Sequence, residues 1–157
     1  MIRGIHHVAL NTANLDRMLA FYRDVIGFEV VADVAWKDDA QIDSVVGLKG
    51  SAARQIMLRA GNAYLELFEY TVPAAREGAP LRPCDRGYTH LCLDVVDIEA
   101  EHARLSQAGV HFQRKPGDFG EIRAVYGADP DGNIVEIQEI LNADHAFAFP
   151  PRSPRGA

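Results

Sequence analysis

The chain has 157 residues and a hydrophobic fraction of 48%, which suffices for one domain with a real core or two small modules that share one. Its net charge of −6 at pH 7 disfavours nucleic acid as a partner, and no apolar run approaches the length of a membrane span. A signal peptide is not expected either, because an alternating strand pattern begins almost at the N-terminus. Cys84 and Cys92 have neither disulfide-framework nor zinc-ribbon spacing, which predicts reduced thiols in a cytoplasmic protein.

The first half of the chain predicts a βαβββ module. The expected elements are a strand at Ile5–Asn11, a helix between Asn14 and Gly27, a strand at Phe28–Ala35, a long loop at Lys37–Ala53 with a short helix around Ile42–Val46, and strands at Arg54–Ala60 and Ala63–Tyr70. Asn14 is a typical N-cap, and Gly27 suits the residue that follows a helix. Gly61-Asn62 between two alternating runs indicates a tight hairpin.

A second copy of this module is predicted after a linker at residues 71–87 that is rich in proline and glycine. Thr89–Asp94 repeats the pattern of His6–Asn11, and Asp97 caps a helix that ends before Gly109. An internal repeat of this kind indicates two supersecondary units that pair to complete one structure.

The predicted organisation is a single α+β domain over residues 1–141, with module one at 3–70 and module two at 88–141. Residues 142–157 form either a disordered tail or an arm that docks Phe147 and Phe149 on a neighbouring surface.

Four polar residues stand at repeat-equivalent strand positions: His7, Glu66, His90 and Glu136. Their neighbours in the chain are mostly apolar, so strand alternation places the four on the sheet face opposite the helices. In a curved sheet, two imidazoles and two carboxylates would converge at a cost that a divalent metal offsets. The set suits Ni, Co, Zn, Fe or Mn with room for water or substrate. His6 has the opposite parity and is expected to pack under a helix.

The chain resembles the vicinal-oxygen-chelate superfamily, which includes glyoxalase I, methylmalonyl-CoA epimerase, extradiol dioxygenases and the fosfomycin- and bleomycin-resistance proteins. The residues that carry the resemblance are Ile5–Leu10, Tyr64–Leu67, Thr89–Leu91 and Asp129–Ile137, the last containing the Asp-Pro-Asp-Gly-Asn turn. It implies two paired βαβββ modules that form a curved mixed sheet, a homodimer, and a metal bound by His7, Glu66, His90 and Glu136. This quartet resembles that of bacterial glyoxalase I-type enzymes.

The activity implied by the resemblance is that of a metal-dependent lyase or isomerase of the glyoxalase I or epimerase kind. A small carbonyl substrate with adjacent oxygens chelates the metal, which stabilises an enediolate while a carboxylate moves the α-proton. Glu136 is the expected base and Glu66 the second candidate. Two alternatives stay open: an Fe- or Mn-dependent ring-cleaving dioxygenase, and a non-catalytic protein that sequesters a ligand or drug.

The substrate pocket is expected to involve residues near the four polar positions. Tyr64 and Phe68 share strand parity with Glu66, and Trp36 begins the long loop. Arg123 and Tyr126 lie on the strand that precedes the Asp-Pro-Asp-Gly turn. The alternative interpretation is core packing for Tyr64 and Phe68, a hydrophobic anchor for Trp36, and a solvated side chain for Arg123.

Overall fold

The structure is a computed structural model that describes residues 1–76 and 78–149. The chain divides after Pro80 into two compact units, here called the N-unit (residues 1–80) and the C-unit (residues 81 onward). Each contains its own mixed sheet and few helices, which confirms the predicted α+β class. Within the described residues, every helix is too short or too polar to cross a membrane.

The N-unit is a four-stranded sheet in the order β1-β4-β3-β2. Its elements are β1 (His7–Asn11), α1 (Leu15–Ala20), a π-helical turn (Phe21–Val25), β2 (Glu29–Lys37), α2 (Ala40–Val46), β3 (Ala52–Ala60) and β4 (Ala63–Val72). Strand β1 runs parallel to β4, whereas β3 is antiparallel to both of its neighbours. The predicted hairpin is confirmed, because Ala60 pairs with Ala63 across the Gly61-Asn62 turn.

The C-unit repeats this order with shorter strands. Its elements are β5 (His90–Asp94), α3 (Ile98–Gln107), β6 (His111–Phe112), β7 (Gly117–Asp118), β8 (Ile122–Ala128) and β9 (Ile134–Ile140). Strand β5 is parallel to β9, and β8 lies between β9 and the two short strands β6 and β7. These two strands together take the place of β2 and are separated by residues 113–116, which include Pro116. Proline has no N–H to donate, so it favours such a break.

One face of each sheet is buried beneath a helix. In the N-unit, Leu65 and Leu67 of β4 and Leu15 of α1 are almost fully buried, and α1 contacts β4. In the C-unit, Val135 and Ile137 of β9 are buried in the same way, and α3 contacts β9. The predicted alternation is therefore confirmed on both strands, and the residues between these positions point to the opposite face.

A glutamate on each buried face fixes the helix to the sheet. The Glu69 carboxylate accepts a hydrogen bond from the backbone N–H of Leu15 at 3.0 Å. Glu139 accepts bonds from the N–H groups of Asp97 and Ile98 at 2.8 and 3.2 Å. Both glutamates lie three residues after a predicted metal ligand. A negative charge at a helix N-terminus satisfies free N–H groups and is favoured by the helix dipole.

Two expectations about the N-unit need correction. Strand β2 extends through Trp36 to Lys37, so Trp36 does not begin a loop; it pairs with Ala53, and its indole N–H donates to the Ser51 hydroxyl at 2.9 Å. His6 does not pack under a helix. It is exposed just before β1, and its ring stacks on Tyr64 with centroids 4.9 Å apart.

The predicted C-terminal segment is described only as far as Phe149. Phe147 and Phe149 are exposed in this chain, and residues 150–157 lie outside the described residues. Docking of the two phenylalanines on a neighbouring surface therefore stays a prediction.

Candidate metal centre

Each unit brings one histidine and one glutamate together on the sheet face that carries no helix. The His7 Nε2 atom lies 3.4 Å from Oε2 of Glu66, and His90 Nε2 lies 3.3 Å from Oε2 of Glu136. The glutamate side chains are only 14% and 15% exposed, whereas the imidazoles are 41% and 33% exposed. Each pair therefore combines a largely buried carboxylate with a ring that is reachable from solvent.

Both pairs arise from the same strand register. His7 pairs with Tyr64 across the parallel strands β1 and β4, and Glu66 follows two residues later on the same face. His90 pairs with Ile134 across β5 and β9, and Glu136 again follows two residues later. Because the register is identical, the two His–Glu pairs are equivalent in three dimensions as well as in sequence.

The donor atoms suit a metal ion. Two ligands that each lie about 2.1 Å from one ion at roughly a right angle are separated by about 3 Å, close to both observed gaps. Imidazole nitrogen and carboxylate oxygen are ligands that Zn, Fe, Ni, Co and Mn accept. Among residues 1–76 and 78–149, however, no group of three or more His, Cys, Asp or Glu residues is arranged to hold an ion. The structure thus provides two two-ligand half-sites, and the four-ligand centre stays a prediction.

The surroundings of the two carboxylates differ. The Gln55 amide donates a hydrogen bond of 2.6 Å to Oε1 of Glu66. Gln55 pairs with Phe68, and the equivalent position in the C-unit is Ala124, which pairs with Gln138. Alanine offers no donor, so Glu136 has no counterpart of this amide.

Cys92 is the neighbour of Glu136 across the strands β5 and β9. Desolvation, the negative charge of Glu136 and a hydrogen bond with that carboxylate raise the pKa of Cys92 to about 12. Part of the Cys92 residue is still exposed to solvent. Because of its raised pKa, Cys92 is a neutral thiol at physiological pH.

A cavity of about 340 Å³ opens beside Glu136 within the C-unit. The residues that line it are Gln113, Arg114, Gly117, Phe119, Ala124, Val125, Tyr126 and Glu136. The Tyr126 ring lies 5.2 Å from the His90 ring. Burial, together with the charge of Glu136, raises the pKa of Tyr126, so its hydroxyl keeps its proton and can donate a hydrogen bond.

The other predicted pocket residues occupy different surroundings. Trp36, Phe68 and Tyr70 form an aromatic cluster in the N-unit, with ring centroids 5.6–6.0 Å apart. Arg123 is absent from the cavity lining, and its guanidinium lies 3.4 Å from Asp118.

Sequence reasoning did not identify Gln55, Cys92, Gln113 or Arg114 as neighbours of the site. Cys92 and Gln55 come near the site through cross-strand register, and no local pattern in the sequence specifies that register. Gln113 and Arg114 lie in the break between β6 and β7, and no periodic signal marks that break.

Comparison with known proteins identifies the family. Residues 4–137 match the model of the Glyoxalase/Bleomycin resistance protein/Dioxygenase superfamily. The chain belongs to this superfamily. This result confirms the family that the sequence motifs indicated.

Individual members of the glyoxalase superfamily resemble the chain over most of its length. A 2-epi-5-epi-valiolone epimerase from an Actinomyces species is 36% identical over 148 residues, which cover 85% of this chain and 78% of the relative. A lactoylglutathione lyase from Schizosaccharomyces pombe is 24% identical and matches 85% of this chain but only 46% of its own length. A crystal structure of a glyoxalase family protein from Bacillus cereus superposes with a TM-score of 0.81 at 18% identity, covering 90% of this chain and 97% of that one. This last similarity shows the fold alone.

Proposed function

We propose that the protein is a metal-dependent epimerase or isomerase that moves a proton next to the carbonyl group of a small substrate with adjacent oxygens. The observation that carries the proposal is the repetition of one His–Glu pair, in the same parallel register, in both units. The 36% identity to an epimerase supports epimerisation ahead of a glutathione-dependent reaction.

Four side chains would hold the metal: His7 and Glu66 from an N-unit, and His90 and Glu136 from a C-unit. Each unit supplies only two ligands, so a complete centre requires one half-site of each kind. The two halves come from one chain or from two chains of the predicted homodimer. A metal held by these four side chains would supply a binding place for two adjacent substrate oxygens.

A bound metal supplies Lewis-acid polarisation of the substrate carbonyl. Glu136 is the base in our proposal, because its carboxylate borders the cavity and does not accept a hydrogen bond like the one that the Gln55 amide donates to Glu66. Glu136 takes the proton from the carbon beside the carbonyl, and the electron pair of the broken C–H bond moves toward the carbonyl oxygen. In this proposal the Tyr126 hydroxyl, which keeps its proton, donates a hydrogen bond to a substrate oxygen.

The final proton transfer distinguishes isomerisation from epimerisation. In isomerisation, Glu136 returns the proton to the neighbouring carbon. Epimerisation needs a proton donor on the opposite face of the same carbon, and Glu66 is the candidate. Protonated on Oε2, the oxygen that Gln55 does not bind, it gives this proton to the carbon and regains one from water, while Glu136 releases to water the proton it took.

The test combines metal analysis with proton exchange. Protein purified without chelators is analysed for transition metals, and 2-epi-5-epi-valiolone and a panel of small α-hydroxy ketones are incubated with it in deuterated water. We expect about one metal per chain, and we expect NMR to show exchange of the α-proton. General-base catalysis contributes roughly 10²–10⁴-fold to the rate of such an exchange. Glu136→Gln should lose exchange by a factor in that range, with the metal content of each variant measured separately.

Three results would contradict the proposal. Full exchange in a metal-loaded Glu136→Gln variant would remove Glu136 as the base. Uptake of oxygen with catechols would favour a ring-cleaving dioxygenase. Failure of the wild type to bind any metal after reconstitution would leave a ligand-sequestering protein.

A further inference from the structure

The residue that precedes each predicted ligand histidine contacts the ring nitrogen that faces away from the glutamate. We infer that His6 and Thr89 are positioning residues, which accept the Nδ1–H of His7 and His90 and so leave each Nε2 lone pair available to a metal. This inference rests on the proposed metal site and names two residues outside the ligand set.

In the N-unit, the contact joins the Nδ1 atoms of His6 and His7 at 2.9 Å. His6 is itself held in two ways. Its ring stacks on Tyr64 at an interplanar angle of 18°, and its carbonyl oxygen accepts the Tyr64 N–H at 3.0 Å. Strand β1 begins only at His7. His6 therefore lies outside the strand, where side chains need not alternate between the two faces, and its ring can lie beside that of His7.

In the C-unit, the equivalent contact joins the Thr89 hydroxyl oxygen to Nδ1 of His90 at 3.1 Å. Thr89 also lies immediately before a strand, since β5 begins at His90. An imidazole and a hydroxyl group thus occupy the same place in the two units. Both can accept a hydrogen bond from the ring nitrogen, although they share neither shape nor charge.

The distances favour a hydrogen on Nδ1. A neutral imidazole carries one N–H, and the nitrogen without it has the lone pair that a metal needs. The Nδ1 contacts of 2.9 and 3.1 Å are ordinary hydrogen-bond lengths. The Nε2 atoms lie 3.4 and 3.3 Å from the carboxylates, beyond the roughly 2.7–2.9 Å of a charge-assisted bond.

The test uses two readouts, the ring tautomer in the metal-free protein and the affinity for Zn²⁺. Tautomers are read from long-range ¹⁵N–¹H correlations of the histidine rings. Zn²⁺ affinity is measured by competition with a chromophoric chelator. We expect the Nδ1–H form at both His7 and His90 in the wild type.

Three variants separate the two positions. Thr89→Val keeps the shape of the side chain but removes the acceptor, so the His90 ring should shift to the Nε2–H form and Zn²⁺ affinity should fall about 10- to 100-fold. Thr89→Ser restores the hydroxyl and should restore both readouts. His6→Phe keeps a ring on Tyr64 without any nitrogen and should change His7 alone, so each unit is the control for the other.

The outcomes distinguish this inference from the proposed function. Unchanged tautomers in Thr89→Val and His6→Phe, or unchanged Zn²⁺ affinity despite shifted tautomers, would overturn the positioning role while the metal site stands. A wild type that binds no Zn²⁺ would overturn the metal site and the inference together.

Discussion

The two half-sites share a His–Glu pair but differ in what surrounds the carboxylate. In the N-unit, the Gln55 amide donates a hydrogen bond to Glu66. The aromatic rings of Trp36, Phe68 and Tyr70 form a cluster in the same unit. In the C-unit, Ala124 replaces the glutamine, and an open cavity borders Glu136. The repeat therefore provides two similar ligand pairs, and local differences favour Glu66 as the more firmly held carboxylate and Glu136 as the base that removes the proton.

Substitutions that exchange Gln55 and Ala124, the residues at the two equivalent positions, test this difference between the half-sites most directly. Ala124→Gln introduces an amide where Gln55 stands in the other unit, so we expect it to bond to Glu136 and fill part of the cavity. Proton exchange should fall about 100-fold, within the range for loss of a general base, while the metal is retained. Gln55→Ala should instead weaken metal binding about tenfold, because a ligand loses its supporting bond. Equal effects of both variants on exchange and on metal affinity would contradict the division of roles.

The turn before Glu136 is a further difference between the units, because this turn depends on a buried carboxylate. Asp129 is 4% exposed and accepts bonds from the backbone N–H groups of Asp131 and Asn133 and from the Asn133 amide, all at 2.8–2.9 Å. We expect Asp129→Ala to lower the free energy of unfolding by about 2–3 kcal/mol, because three partly buried donors lose their acceptor. Urea denaturation measures this. Asp129→Asn keeps one acceptor oxygen and should cost less; an equal loss would show that the bonds are not the cause.

The helix-capping glutamates test whether the two units are stabilised alike. Glu69 accepts one N–H of α1, and Glu139 accepts two N–H groups at the start of α3. Loss of a helix cap costs about 1 kcal/mol, so Glu139→Ala should destabilise the protein by at least as much as Glu69→Ala. Thermal unfolding of the two variants gives the order. A larger effect of Glu69→Ala would indicate that the carboxylate acts by packing rather than by capping.

The smallest expected effect concerns the reactivity of Cys92. Its pKa is raised to about 12 by burial and by Glu136, so the nucleophilic thiolate form is scarce below that pH. We expect iodoacetamide to alkylate Cys92 slowly at pH 8. Peptide mass analysis measures this reaction and reports at the same time on the exposed Cys84. Glu136→Gln removes the neighbouring charge and should speed the modification of Cys92 only. Fast alkylation of Cys92 in the wild type would contradict the raised pKa.

Local patterns in the sequence predicted most of the fold. The caps at Asn14 and Asp97, the Gly61-Asn62 turn and the alternation around Glu66 and Glu136 are confirmed, because each depends on residues a few positions apart. The break between β6 and β7 was not predicted, since its pairing with β8 depends on residues that lie elsewhere in the chain.

The sequence by itself determined the repeat, the parity of the strands and the equivalent positions of the two histidines and two glutamates, because alternation and internal similarity are properties of the chain alone. Only the tertiary structure decided that Gln55 meets Glu66, that Cys92 lies beside Glu136 and that His6 stacks on Tyr64 rather than under a helix. These contacts depend on cross-strand register and on the path of the backbone just outside a strand. Both are set by pairing between distant segments, which no local pattern specifies.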